Sequence, residues 1–134
     1  MNRSYVMSVA AAITFVISSV SVSSGQNQES HIRFKETLAR IPGSDAARFV
    51  RAFQGEGATV FLYAPKGTDD QKPHTRDEIY IVASGEGTFF DGHKTFSFTT
   101  GDILFVPAQV DHRFVTFSNN FSAWVVFYGA EKKP

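Results

Sequence analysis

From Gly57 onward the chain is built from short apolar segments separated by glycine, proline or asparagine. Hydrophobic and polar residues alternate within many of these segments, which is typical of strands that bury one face. At least seven segments follow one another at intervals of about 8–12 residues, a spacing typical of antiparallel sandwiches and small barrels. We therefore predict an all-β barrel made of the segments ATVFLYA, EIYIVAS, GTFF, KTFSFTT, DILFVPAQ, HRFVTFS and FSAWVVFYG.

Two turn signals predict how some of these strands are connected. The pair Asp91-Gly92 lies between two strands rich in aromatic residues and indicates a tight β-hairpin. His93 follows this turn, so we expect its imidazole to lie in solvent. The pair Asn119-Asn120 separates the last two strands, and we predict that these two strands form the final hairpin.

The residues before the barrel divide into two parts. Residues 1–25 contain one arginine, a charge-free apolar run from Val6 to Val20 and then small residues, which is the pattern of a secretory signal peptide. An uncleaved membrane anchor is the alternative, although the run is shorter than the roughly 20 residues that span a bilayer. Residues 26–56 are expected to pack on the barrel as a helical or irregular segment, with a short helix within Ser44–Phe53, and residues 57–130 form the barrel domain.

Composition excludes some functions. The 13 basic and 13 acidic residues balance, and no basic run exists, so a nucleic-acid-binding role is not expected. After signal cleavage no membrane contact is expected, and the mature protein is predicted to be periplasmic or secreted. The chain has no cysteine, so no disulfide can stabilise the exported domain, and its core and a bound metal are the remaining means.

Two histidines and one glutamate do not fit a plain barrel interior. His74 and Glu78 have equal parity along the chain, and His112 begins the predicted strand HRFVTFS, in which it shares a face with Phe114 and Thr116. If all three point inward, they form the two-histidine, one-carboxylate set that holds non-haem iron and that Mn, Ni, Zn or Cu would also tolerate. The spacing alone is weak evidence. Glu78 pairing with Arg76 or Arg113, and histidines that bond only to the backbone, remain open alternatives.

Three further residues share the parity of His74 and Glu78. They are Lys72, Arg76 and Tyr80, and we predict that they line a substrate pocket beside the metal. Lys72 or Arg76 would neutralise an anionic substrate. Tyr80 is equally compatible with a place in the apolar core.

The first motif in which these residues lie resembles that of the cupin family, G-x5-H-x-H-x(3–4)-E-x6-G. His74, three residues, Glu78, six residues and Gly85 reproduce the core of this motif. The opening glycine is displaced by one position, because only four residues separate Gly67 from Lys72. Lys72 itself replaces the first histidine of the motif.

The second cupin motif, G-x5-P-x-G-x2-H-x3-N, follows 15 residues later. Gly101, five residues, Pro107 and then His112 have its offsets, whereas Gln109 replaces the internal glycine and Thr116 the final asparagine. The resemblance extends from about residue 58 to residue 128. It implies a cupin (RmlC-like) jelly roll, a double-stranded β-helix, with a divalent metal at the retained ligands His74, Glu78 and His112.

The resemblance leaves the function open, because cupins include enzymes, storage proteins and binding modules. One hypothesis is a metal-dependent oxygenase or related enzyme that acts on a small polar substrate. A second is a non-catalytic module that binds a small ligand or a metal. A third is a structural subunit, a homodimer whose apolar contact face is supplied by the strands GTFF and TFSF.

Overall fold

The computed structural model describes residues 30–43 and 48–133. The predicted signal peptide, residues 26–29 and the start of the predicted helix at Ser44 lie outside this range. No helix in the described part of the chain is long and apolar enough to cross a membrane. The elements in chain order are α1 (Phe34–Ala39), β1 (Phe49–Gly55), β2 (Ala58–Tyr63), β3 (Asp77–Ser84), β4 (Glu86–Phe90), β5 (Thr95–Thr99), β6 (Ile103–Val106), β7 (Arg113–Phe117) and β8 (Ser122–Tyr128).

The eight strands form two antiparallel sheets. The larger sheet has the order β1-β2-β8-β3-β6 and the smaller one the order β5-β4-β7. Buried apolar side chains from both sheets form one core. The prediction of an all-β jelly-roll barrel is confirmed, and each of the seven predicted strands is present.

The predicted final hairpin is wrong. β7 pairs with β4, whereas β8 lies between β2 and β3 in the other sheet. The turn at Asn119-Asn120 exists, and the Phe121 amide donates to the Ser118 carbonyl across it at 2.9 Å. It carries the chain from one sheet to the other, because burying one face of both strands requires them to face each other across the core.

The predicted helix within Ser44–Phe53 is also wrong over its described part. Residues 49–55 form β1, which pairs with β2 at the edge of the larger sheet. The Phe49 ring lies edge-on to Phe61, with centroids 5.6 Å apart. Pairing with the open edge of β2 gives the backbone N–H and C=O groups of these residues hydrogen-bond partners. This outweighs a weak local preference for helix. The described helix is α1, whose Phe34 ring contacts the Trp124 ring at 6.1 Å.

Aromatic rings fill the core between the sheets. The Phe114 ring, 1% exposed, lies at its centre and has ring contacts at 4.6–5.3 Å with Tyr80, Phe89, Phe98 and Phe121. Phe89 and Phe98, which belong to the strands GTFF and TFSF, are 0% and 3% exposed. These two rings point inward, whereas Phe90 and Phe96 of the same strands are half-buried, so the apolar dimer face on these strands stays a prediction.

The hairpin at Asp91-Gly92 joins β4 to β5, as predicted, but through a four-residue loop. The Asp91 amide donates to the Lys94 carbonyl at 3.1 Å. The Asp91 carboxylate accepts from the amides of His93 and Lys94, both at 2.9 Å. The hydrogen bonds from these two backbone amides lower the pKa of the Asp91 carboxyl group. His93 is exposed at the tip, as expected.

Gly87 marks the closest approach of β4 to β7. A Cβ atom there would overlap the Thr116 carbonyl oxygen and lie 2.8 Å from the Phe117 Cα atom. Both neighbours are backbone atoms, so neither can move aside without breaking the strand pairing. We expect Gly87→Ala to lower the free energy of unfolding by about 2–3 kcal/mol, as overpacking does. Denaturant titration measures the loss.

Gly43→Ala is the matched control for this substitution, because a Cβ atom at Gly43 would meet nothing within 4 Å. Its free energy of unfolding should stay near that of the wild type. Equal stability of the two variants would show that β4 and β7 separate easily.

Candidate metal centre

Three side chains, one from a strand and two from loops, meet at one end of the barrel. One ligand atom from each of His74, Glu78 and His112 lies within 4.8 Å of the other two. Glu78 is the second residue of β3 in the larger sheet, and His112 directly precedes β7 in the smaller one. His74 lies in the loop that leads into β3. The site therefore forms only when the two sheets face each other.

The loops that carry the two histidines are joined by their backbones. The Gln109 amide donates to the His74 carbonyl at 2.8 Å. Gln109 has a φ of 69°, the left-handed region in which a side chain is disfavoured. It occupies the position where the cupin motif has glycine. Gln109 thus adopts a backbone conformation that glycine would adopt more readily.

The hydrogen bonds of the imidazoles determine which nitrogen faces the centre. The Nδ1 atom of His74 lies 2.5 Å from the Arg76 carbonyl oxygen, and that of His112 lies 2.9 Å from the Val110 carbonyl oxygen. A carbonyl oxygen only accepts, so both Nδ1 atoms carry the proton. In the neutral rings the Nε2 atoms therefore have free lone pairs, as metal-ligating histidines require.

Both Nε2 atoms face the same carboxylate oxygen. Glu78 Oε2 lies 2.6 Å from His74 Nε2 and 3.1 Å from His112 Nε2, and the Glu78 side chain is 1% exposed. Burial raises the pKa of Glu78, but the hydrogen bonds from His112 and His74, which their Nε2 atoms donate when the rings are protonated, outweigh it and lower the pKa below its ordinary value. Burial likewise lowers the pKa of His112, and the bond to Glu78 outweighs it and raises that pKa.

This donor set fits a divalent metal ion. Neutral imidazoles and an ionised carboxylate are all acceptors at the centre, so they need protons or a cation between them. Two imidazole nitrogens and one carboxylate oxygen are the set that binds Fe(II), and Mn, Ni, Zn or Cu also accept it. His74, Glu78 and His112 would hold the ion.

A cavity of about 370 Å³ is lined in part by His74 and Glu78. Tyr80 is fully buried at its inner end, and burial raises the pKa of its hydroxyl well above the ordinary value. Lys72 is exposed and lines the cavity. The aromatic side chains that line the cavity are Phe49, Phe61, Tyr63, Tyr80 and Phe127, and the charged ones are Arg48, Lys66, Asp70, Lys72 and Glu78.

Arg76 is placed differently from the other predicted pocket residues. Its guanidinium donates to the carbonyl oxygens of Gly129 at 3.0 Å and Gly57 at 2.7 Å, and to Thr59 Oγ1 at 3.3 Å. It therefore ties the ends of β2 and β8 together and does not line the cavity. Equal parity misassigns it because β3 begins at Asp77, and the two-residue period holds only within a strand.

Sequence reasoning missed a buried carboxylate beside the centre. Asp69 is 9% exposed and accepts a hydrogen bond from the Tyr63 hydroxyl at 2.7 Å. It also accepts from the Gln71 side-chain amide at 2.7 Å. Its proximity to His74 in the sequence is the available signal, but a polar loop residue is ordinarily solvated, so that signal is weak.

Known proteins resemble the chain in sequence and in fold. A family model of the cupin domain matches residues 59–128. An uncharacterized protein of Streptomyces coelicolor is 35% identical over 97 residues, which cover 71% of this chain and 91% of that protein.

Crystal structures of distant proteins share the fold. A cupin-2 domain protein from Shewanella frigidimarina has a TM-score of 0.58 at 14% identity, over 73% of this chain and 94% of that one. A protein from Neisseria meningitidis has a TM-score of 0.58 at 20% identity, over 74% and 99% of the two chains. At these identities the likeness concerns the fold alone. With the matched cupin domain and the two motifs, the sequence and the structure agree that this chain belongs to the cupin family.

Proposed function

We propose that this cupin holds one divalent transition metal at His74, Glu78 and His112 and acts as a metalloenzyme, an oxygenase or a related enzyme, on a small polar molecule. The observation that carries the proposal is the direction of the imidazoles. Both Nδ1 atoms are bound to carbonyl oxygens, and both Nε2 atoms face one buried carboxylate. A purely structural ion pair needs only one histidine.

The cavity supports a small substrate. A bound divalent ion would supply Lewis acidity and, if it is iron, the ability to activate dioxygen. The rings of Phe49, Phe61 and Phe127 line the cavity and would exclude water from an apolar part of the substrate. The ammonium groups of Lys66 and Lys72 lie where they would attract an anionic part.

We expect the purified protein to contain about one divalent metal ion per chain, since the residues form one ligand set. Adding the ion to metal-free protein should raise the melting temperature, because an ion at 100 times its dissociation constant stabilises the folded state by about 2.7 kcal/mol. Elemental analysis measures the metal content, and thermal scans with Fe, Mn, Ni, Zn and Cu measure the change in melting temperature. A protein that no ion stabilises contradicts the proposal.

The reaction class requires a separate test. The metal-loaded protein is supplied with small diketones, thiols and phenols, and oxygen consumption is recorded. Consumption that depends on both the metal and one of these compounds supports an oxygenase. A loaded protein that turns over none of them supports the alternative, a non-catalytic module that binds a small ligand or stores metal. The replacement of the motif histidine by Lys72 favours this alternative.

We also propose that the protein is exported to the periplasm or secreted, which the charge-free apolar run Val6–Val20 supports. The mass of the protein isolated from the cells that make it tests this, since cleavage near residue 25 removes the run. A mass that includes residue 1 contradicts the proposal.

A homodimer stays a prediction. Phe89 and Phe98 of β4 and β5 are buried, and further support comes from the outer face of β3 and β6. There Ile81, Ile103 and Phe105 are 38%, 67% and 53% exposed, and Ile81 lies opposite Ile103 in the sheet. Light scattering on the wild type and on Phe105→Ser distinguishes a dimer through this face from a monomer.

A further inference from the structure

Asp69 anchors a chain of hydrogen bonds that ends at the metal centre. Its carboxylate is nearly buried, and Oδ2 accepts from the Phe114 amide at 2.8 Å. Oδ1 accepts from the Tyr63 hydroxyl at 2.7 Å and from the backbone amide of Gln71 at 3.3 Å. These donors belong to three different segments of the chain, so they fix the carboxylate in position.

Asp69 determines how the Gln71 side chain is oriented. The side-chain amide nitrogen of Gln71, Nε2, lies 2.7 Å from Asp69 Oδ2. A carboxylate only accepts, so the nitrogen and not the oxygen of Gln71 must face it. The Gln71 oxygen, Oε1, is thereby directed toward Tyr80, whose hydroxyl oxygen lies 2.7 Å away.

The orientation of Gln71 in turn determines where the hydroxyl proton of Tyr80 lies. Two oxygens at 2.7 Å need a hydrogen between them, and Gln71 Oε1 has none. The single hydroxyl hydrogen of Tyr80 is therefore donated to Gln71. The Tyr80 oxygen, which lies 3.2 Å from His112 Nε2, turns its lone pairs toward that nitrogen.

Without Gln71 the same hydroxyl would have a different acceptor. His112 donates its Nδ1 proton to the Val110 carbonyl, so the neutral ring has its lone pair on Nε2. A freed Tyr80 hydroxyl has two acceptors at the metal centre, this lone pair at 3.2 Å and the Glu78 carboxylate. A hydrogen bond to the lone pair would compete with any metal ion for the nitrogen.

We propose that Asp69 and Gln71 are positioning residues that hold the Tyr80 hydroxyl proton away from His112, so that the Nε2 lone pair stays free for a metal ion. The proposal rests on the proposed function of His112 as a metal ligand. It assigns a role to two residues that are not among the three metal-ligating groups. Asp69 and Gln71 act on the metal centre through the Tyr80 hydroxyl group.

The test compares Zn²⁺ affinities, measured by competition with a chelator, for four full-length proteins: the wild type, Gln71→Met, Tyr80→Phe and the double variant. Gln71→Met removes the acceptor and frees the hydroxyl, so it should weaken Zn²⁺ binding about 10-fold, the lower end of the effect of losing a residue whose hydrogen bonds orient a metal ligand. The double variant lacks the hydroxyl as well. It should bind Zn²⁺ about as tightly as Tyr80→Phe and therefore more tightly than Gln71→Met.

Recovery in the double variant separates this mechanism from structural damage, because a second core substitution does not repair a misfolded site. Gln71→Met with unchanged affinity overturns the proposal, and so does a double variant as weak as Gln71→Met. Thermal melts followed by circular dichroism confirm that each variant is folded.

A wild type that binds no Zn²⁺ contradicts the proposed metal site but still leaves a test of the hydrogen-bond chain. The ¹⁵N resonances of the His112 ring are recorded in metal-free protein in alkaline buffer, where the ring is neutral. A shift of Nε2 in Gln71→Met that is reversed in the double variant supports the proposal. The same Nε2 resonance in wild type and Gln71→Met overturns it.

Discussion

We expect His112→Ala to lower the affinity of the protein for divalent metal ions by more than about 100-fold, beyond the roughly 10–100-fold typical of losing a residue that only hydrogen-bonds to a metal ligand. The substitution removes one of the two nitrogen ligands of the centre. It also leaves Glu78, which is 1% exposed, bound to His74 alone. Isothermal calorimetry with Zn²⁺ measures the change, and the metal content of the purified protein provides a second measurement.

His93→Ala is the matched control. This histidine is exposed in the loop between β4 and β5, away from the clustered ligands. Its loss should leave metal affinity unchanged. If both alanine variants retain the ion, the metal lies elsewhere in the chain. If both lose it, the loss reflects a general effect of removing histidine and not the removal of a ligand.

The second large effect is expected from Phe114→Ala, which should lower the free energy of unfolding by about 3–5 kcal/mol. The Phe114 ring is 1% exposed and lies 4.6 Å from Phe121 and 4.9 Å from Phe89, centroid to centroid. Removing it opens a cavity between the two sheets, and their backbones limit how far it can collapse. The melting temperature should fall by more than about 10 °C.

Val115→Ala is the control for this prediction, since Val115 is the next residue of the same strand and its side chain is 50% exposed. This substitution should lower the free energy of unfolding by less than about 0.5 kcal/mol, as surface substitutions do. Comparable losses in the two variants would mean that β7 contributes through its strand propensity and not through the packing of its inner face.

The positions of most strands could be predicted from the sequence because their signal is local. Alternating apolar residues and turn residues such as Asp91-Gly92 act over a few neighbouring positions. The error at Phe49–Phe53 arose where the local signal was weak. There the exposed edge of β2 decided the conformation, and that edge is not visible in the segment itself.

Strand pairing could not be predicted in the same way. β7 and β8 are consecutive and joined by a short turn, yet they lie in different sheets. Each must bury one face against the other sheet, and the partner of each strand is set by contacts remote in sequence. The spacing of residues along the chain therefore does not show which strands pair.

The candidate site divides along the same line. The spacing of His74, Glu78 and His112 within two motifs was enough to name them, because motif offsets are a property of the sequence. Arg76 was misassigned because the sequence does not show where β3 begins. The hydrogen bonds from Asp69 through Gln71 to Tyr80 could not be found, because they join a loop to the barrel interior.

By itself, therefore, the sequence determined the all-β architecture, the positions of seven strands and the residues that could ligate a metal, since periodicity and motif spacing act locally. Tertiary structure alone decided which strands share a sheet and that Lys72 lies exposed at the cavity. It also decided which way the Tyr80 proton points. These depend on backbone and side-chain groups far apart in the chain, whose contacts exist only once the two sheets have closed on each other.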